Sequence, residues 1–130
     1  NSILNTPPTF AIYVLNLVTN WMLKMGGIDY FQNKSIKQSK EIYDFIDENS
    51  DVLSCSVDKK YRSKSNIVFN FLKDEHNKEF VNVAKNVGII GINGHRSVGG
   101  IRVSLFNSVD EDMFEIFMKF FKKYISELSN

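Results

Sequence analysis

The sequence predicts an α+β fold in which helices pack on one small, mostly antiparallel sheet. Three observations lead there. Apolar residues recur at helical spacing near both ends of the chain. Short runs between Val52 and Phe106 alternate or concentrate apolar residues as strands do. Glycines and polar clusters punctuate these stretches in the order helix, helix, strand, strand, helix, strand, strand, helix. That order lacks the regular strand-helix alternation of a parallel sheet.

The first helix is expected over Pro8 to Met25. Proline suits a first helical turn, Asn5 or Thr6 just before it suits a cap, and Gly26-Gly27 ends the run. No charged residue precedes Lys24, and Phe10, Ile12, Tyr13, Leu15, Val18 and Trp21 cover nearly every side. A helix apolar all round is buried on all sides, more than one small domain provides. Part of this surface is therefore expected to meet another domain or subunit.

A second helix reads from Tyr30 to Glu48, with Phe31, Ile42, Phe45 and Ile46 on its core face. A short strand follows at Val52 to Val57, then a polar basic loop from Asp58 to Ser65. Asn66 to Leu72 is a stronger strand, with Ile67, Phe69 and Phe71 on one face. A third helix is expected from Asn77 to Asn86, with Phe80, Val81, Ala84 and Val87 as its stripe and Gly88 as its stop. Ile89 to Ile92 is a strand candidate, Asn93 to Gly100 a glycine-rich loop, and Ile101 to Phe106 another strand. Ser108 and Glu111 read as a capping box for a last helix, Asp110 to Leu128. Its repeat is Met113, Phe114, Phe117, Phe120, Phe121, Tyr124 and Leu128.

The 130 residues amount to one domain, expected to span 1–130 without an internal linker. Apolar residues at 43% and charged residues at 24% are those of an ordinary globule, and eleven phenylalanines speak against disorder. A net charge of +1 excludes a dedicated nucleic-acid binder. The longest apolar run, Phe10 to Leu15, is too short to span a membrane, so no membrane role is expected. The single cysteine, Cys55, permits no internal disulfide and fits a reducing, cytoplasmic setting. No signal peptide is visible, and the opening Asn1-Ser2-Ile3-Leu4 reads as the middle of a longer protein.

Two stretches carry chemistry. Asn5-Thr6-Pro7-Pro8-Thr9 opens a helix, where unpaired N–H groups and the positive dipole end suit a phosphate or carboxylate. A plain helix cap is the alternative. The second stretch runs from Gly94 to Arg102 and sets His95, Arg96 and Arg102 among three further glycines, Gly94 apart from the pair Gly99-Gly100. Glycine lets a ligand approach the backbone closely, and a guanidinium grips a carboxylate or phosphate with two hydrogen bonds. Arg102 lies in an apolar strand and needs an anionic partner, either a salt bridge within the protein or a ligand. His95 and Arg96 are either part of such a grip or a solvated turn. His76 reads as solvated in a polar loop; Asp47, Glu48 and Asp51 as a solvated acidic loop; Lys59, Lys60, Arg62 and Lys64 as a solvated basic one. Two distant histidines make no metal site.

The segments NTPPTFAIYVLNLV, Gly26-Gly27, RSKSNIVF (Arg62 to Phe69) and GHRSVGGIRVSLFN (Gly94 to Asn107) succeed one another along the whole chain. In that combination the chain resembles the phosphoserine aminotransferases, class V aminotransferases of fold type I. The resemblance implies a small C-terminal domain, introduced by an interdomain helix over residues 7–26, and a large cofactor-lysine domain that is absent here. It implies a homodimer using pyridoxal 5'-phosphate. The substrates would be phosphoserine, 3-phosphohydroxypyruvate, glutamate and 2-oxoglutarate, in serine biosynthesis. Asn5 and Thr6 would bind the phosphate of the partner subunit's cofactor. His95 and Arg96 would meet the substrate's distal phosphate or carboxylate, and Arg102 its α-carboxylate. The family's cofactor lysine has no counterpart: Lys24, Lys34, Lys37 and Lys122 read as helix-surface residues. No catalytic residue is therefore expected in this chain, and by itself it should be inactive. Another class V aminotransferase with a different small acidic substrate, or a non-catalytic anion-binding module, are the competing readings.

Overall fold

The structure, a computed structural model, describes residues 4–128. Residues 1–3, on which the reading of an internal start partly rests, lie outside the described residues. The chain divides into two compact units, Asn1–Lys34 and Ser35–Asn130.

The first unit holds helix α1, Thr9–Lys24, and the start of α2, Gly27–Glu48. The break between them is made by Gly26, whose φ of 111° is open to glycine and strained for other residues. The Gly26 amide donates to Leu23 O at 3.1 Å, closing the last turn of α1. Tyr30 is packed so closely that a Cβ on Gly26 would lie 3.1 Å from its Cβ. Helix α2 thus begins at Gly27, three residues before the expected Tyr30. The expected cap of α1 is not formed. Pro8 occupies the N-cap position and no side chain caps the first turn. No residue of α1 is buried. Trp21 packs its ring against Phe31 at 5.1 Å.

The second unit is built on a four-stranded antiparallel sheet in the order β1-β2-β4-β3. The strands are β1, Leu53–Ser54; β2, Asn66–Phe71; β3, Asn93–His95; and β4, Gly99–Ser104. Strands β2 and β4 pair from Asn66↔Ser104 to Phe69↔Ile101. Alternation sends Ile67, Phe69, Phe71, Ile101 and Val103 into the core, while Val68, Asn70, Arg102 and Ser104 on the other face stay half-buried. Ile42 and Ile46 of α2, Phe80 and Ala84 of α3 (Asp74–Asn86), and Phe117, Phe121 and Tyr124 of α4 (Glu111–Leu128) complete the core. Phe121 is its hub. It stacks on Phe69 at 5.0 Å and meets Phe45 edge-on at 4.9 Å.

Several local expectations are corrected. Helix α3 starts at Asp74 rather than Asn77, so His76 sits in its first turn. His76 Nδ1 lies 3.0 Å from Glu79 Oε2 instead of in a solvated loop. Val87 falls beyond the helix end and is exposed. The strand expected at Ile89 to Ile92 forms instead at Asn93–His95, so the glycine-rich loop is a β-hairpin. At α4 the cap is Asp110, whose Oδ1 accepts the Met113 N–H at 2.8 Å. Asp110 directly precedes the first helical residue and reaches the N3 amide. The Glu111 carboxylate pairs with Lys37 and accepts from Gln38. Asp47 belongs to α2 and is held by Arg62 and Lys59, so neither the acidic nor the basic cluster is merely solvated.

Candidate functional site

Glycine makes the β3–β4 hairpin possible. Gly94 faces Gly100 across the pair, and a Cβ on Gly94 would lie 1.7 Å from the Gly99 carbonyl oxygen. Gly99 and Gly100 both take positive φ, 77° and 71°. The turn between the strands is Arg96 to Val98, closed by the Val98 amide donating to His95 O at 2.9 Å.

This turn presents His95 and Arg96 to solvent. His95 Nδ1 is 2.6 Å from Ser97 Oγ and accepts the Ser97 amide N–H at 3.3 Å. An amide can only donate, so the proton of the neutral ring sits on Nε2. Arg96 has no ion pair or side-chain hydrogen bond among the described residues. Its guanidinium is free to take an anion.

Arg102 lies three residues into β4, on the face turned away from the core, opposite Val68. Its amide donates to Ile92 O at 2.9 Å, which fixes the backbone. Its Nε is buried and has no hydrogen-bond partner. No carboxylate pairs with it among the described residues. The internal salt bridge left open by the sequence is thus not formed. A buried guanidinium nitrogen without a partner calls for an acceptor from elsewhere.

Asn5 and Thr6 are exposed ahead of α1. Pro7 and Pro8 have no amide hydrogen, and the Thr9 amide donates to Pro7 O at 2.8 Å. The first turn of α1 has no side-chain cap. A helix N-terminus without a cap, beside a hydroxyl and a carboxamide, fits a phosphate chemically. A cavity of about 530 Å3 lined by Ile89, Ile92, Leu105, Met113 and Phe117 borders Arg102 and Ser104. Its walls are mostly apolar.

The sequence groups His95, Arg96 and Arg102; the structure places His95 opposite Gly99 at the end of the hairpin, Arg96 in its turn, and Arg102 further along β4. The sequence reading missed Ser97 as the partner of His95, and it missed Asn70. The carboxamide of Asn70 lies over Gly100 on the Arg102 face: a Cβ on Gly100 would fall 2.2 Å from Asn70 Oδ1. Two asparagines alternating with Ile67, Phe69 and Phe71 on a strand were the available signal.

The same fold occurs in solved aminotransferases. Phosphoserine aminotransferase from Bacillus circulans subsp. alkalophilus superposes with a TM-score of 0.89 at 37% identity, over 95% of this chain and 34% of that one. The pyridoxal-phosphate-bound phosphoserine aminotransferase of Trichomonas vaginalis gives 0.83 at 29%, over 92% and 34%. By sequence, the probable phosphoserine aminotransferase of Dictyostelium discoideum is 38% identical over 95% of this chain and 34% of its own length. The phosphoserine aminotransferase of Bacillus subtilis strain 168 is 39% identical over 98% and 35%. The match to the class-V aminotransferase family covers residues 2–117, and the chain belongs to that family. It spans about a third of the length of the relatives it matches.

Proposed function

We propose that this chain is the small C-terminal part of a phosphoserine aminotransferase, with an interdomain helix over residues 7–26. The whole enzyme would move the amino group of glutamate to 3-phosphohydroxypyruvate, giving O-phospho-L-serine and 2-oxoglutarate in serine biosynthesis. The observation that carries this is Arg102, a guanidinium with a buried, unpartnered Nε on the strand that continues from the His95–Arg96 hairpin. Both amino-acid substrates carry an α-carboxylate and a second anion. Arg102 clamps the first, and His95 with Arg96 takes the second, phosphate or carboxylate. The clamp orients the substrate and holds it in a reactive position.

Pyridoxal 5'-phosphate, when bound, supplies the electron sink for the amino-group transfer. Asn5, Thr6 and the head of α1 hold its phosphate, in the cofactor site of the partner subunit of a homodimer. The apolar surface of α1 supports this assembly: Phe10 is 79% and Leu15 62% exposed, which calls for a cover from the rest of the enzyme or the second subunit. Lys37 and Lys122 pair with Glu111 and Glu41, which fits a cofactor lysine outside these residues and an inactive isolated chain. Free Cys55 fits a cytoplasmic enzyme. Among the described residues no helix is long and apolar enough to cross a membrane.

The test uses the full-length protein loaded with cofactor. L-phosphoserine should convert the cofactor to its amino form, read by its absorbance, and Arg102→Ala should slow this strongly. Conversion by another amino acid but not by phosphoserine would keep the family and discard the substrate.

A further inference from the structure

We infer that Asn70 is a further specificity-determining residue, sharing the α-carboxylate of the substrate with Arg102. This rests on the clamp assigned to Arg102 above. The β2–β4 register that sets Val68 opposite Arg102 sets Asn70 opposite Gly100. Asn70 and Arg102 are therefore diagonal neighbours on one face of the sheet, within reach of a single small anion. The face is turned away from the core, since Phe69 and Phe71 on either side of Asn70 are buried and Asn70 is half-buried.

Three features single out Asn70. Its carboxamide makes no hydrogen bond among the described residues. The carboxamide occupies the space that any side chain at position 100 would need, because a Cβ there would lie 2.2 Å from its Oδ1. Gly100 thus leaves the Asn70 side chain folded over the strand that carries Arg102. Finally, the Arg102 Nε is buried without a partner, so both side chains on this face carry unmet donors. A carboxylate offers two oxygens and about four lone-pair sites, enough for a guanidinium fork and one amide N–H. Arg102 supplies the charge, and the Asn70 Nδ2–H fixes which way the carboxylate plane turns.

The experiment compares phosphoserine with phosphoethanolamine, its analogue without the α-carboxylate, as ligands of the full-length, cofactor-loaded protein. Asn70→Ala should weaken phosphoserine about tenfold, the worth of one hydrogen bond to a charged group. It should leave phosphoethanolamine unchanged. Asn70→Asp, which keeps the shape over Gly100, should weaken phosphoserine further by repulsion and again spare phosphoethanolamine. Equal losses for both ligands would mean a structural role and overturn the inference, as would no loss for either. Arg102→Ala separates the two levels. If it weakens phosphoserine while the Asn70 variants do not, only the role of Asn70 falls; if it too spares phosphoserine, the clamp itself is wrong.

Discussion

Arg62 grips Asp47 with both arms of its guanidinium, Nη1 to Oδ2 at 2.9 Å and Nη2 to Oδ1 at 2.8 Å. The same guanidinium lies 4.7 Å from the centre of the Tyr43 ring, and Lys59 adds a second cation at 2.8 Å from Asp47. This ties the loop before β2 to the end of α2. The hydrogen bond from Arg62, helped by Lys59, lowers the Asp47 carboxyl to about 2. A lowered folded-state value means that the stabilisation is fully present above the ordinary carboxylate range and is lost as pH falls toward 2. Asp47→Asn should therefore cost about 1 kcal/mol at neutral pH, after allowing for partial exposure of the pair. In urea denaturation at several pH values, the gap between variant and parent should close between about pH 4 and pH 2. A gap that persists at pH 2 would show that Asp47 acts through packing instead.

Gly94→Ala should disrupt the hairpin. Its Cβ would lie 1.7 Å from the Gly99 carbonyl oxygen, and neither strand has a flexible group that could yield. The strain should cost about 1–3 kcal/mol and move His95 and Arg96. Thermal melting reports the first effect and phosphoserine titration the second. An unchanged affinity would separate the turn from the site.

The two arginines should differ in what they read. Arg96→Ala should weaken phosphoserine about tenfold yet leave L-alanine, which has no distal anion, unaffected. Arg102→Ala should weaken both amino acids. Competition titrations with the two ligands check this, and a loss of alanine binding in the Arg96 variant would reverse the assignment.

Phe121→Ala should remove about 3–5 kcal/mol, a large part of the stability of a domain this size. Phe121 is fully buried and touches Phe45, Phe69, Phe80 and Phe117. Urea titration followed by circular dichroism measures it. A loss below about 1 kcal/mol would mean that the aromatic core repacks around the gap.

The sequence by itself determined the α+β class, the four helices, and the inward faces of β2 and α4. These are periodic signals, and burial of Ile67, Phe69, Phe71 and Phe121 enforces the period. It also singled out the Gly94–Arg102 stretch as a candidate place for an anion, because glycines and arginines declare themselves by type. Only the tertiary structure decided the rest. Whether Asn93 to Gly100 is a loop or a hairpin depends on pairing with β4, a partner the local sequence does not contain. Whether Arg102 meets a protein carboxylate depends on what stands beside it in space, and among the described residues nothing anionic does. Asn70 belongs to the site only through the β2–β4 register, which brings together residues thirty positions apart. The cap of α4 passed from Ser108 to Asp110 for a similar reason: the Glu111 carboxylate that a capping box would use is engaged by Lys37 and Gln38 of another helix.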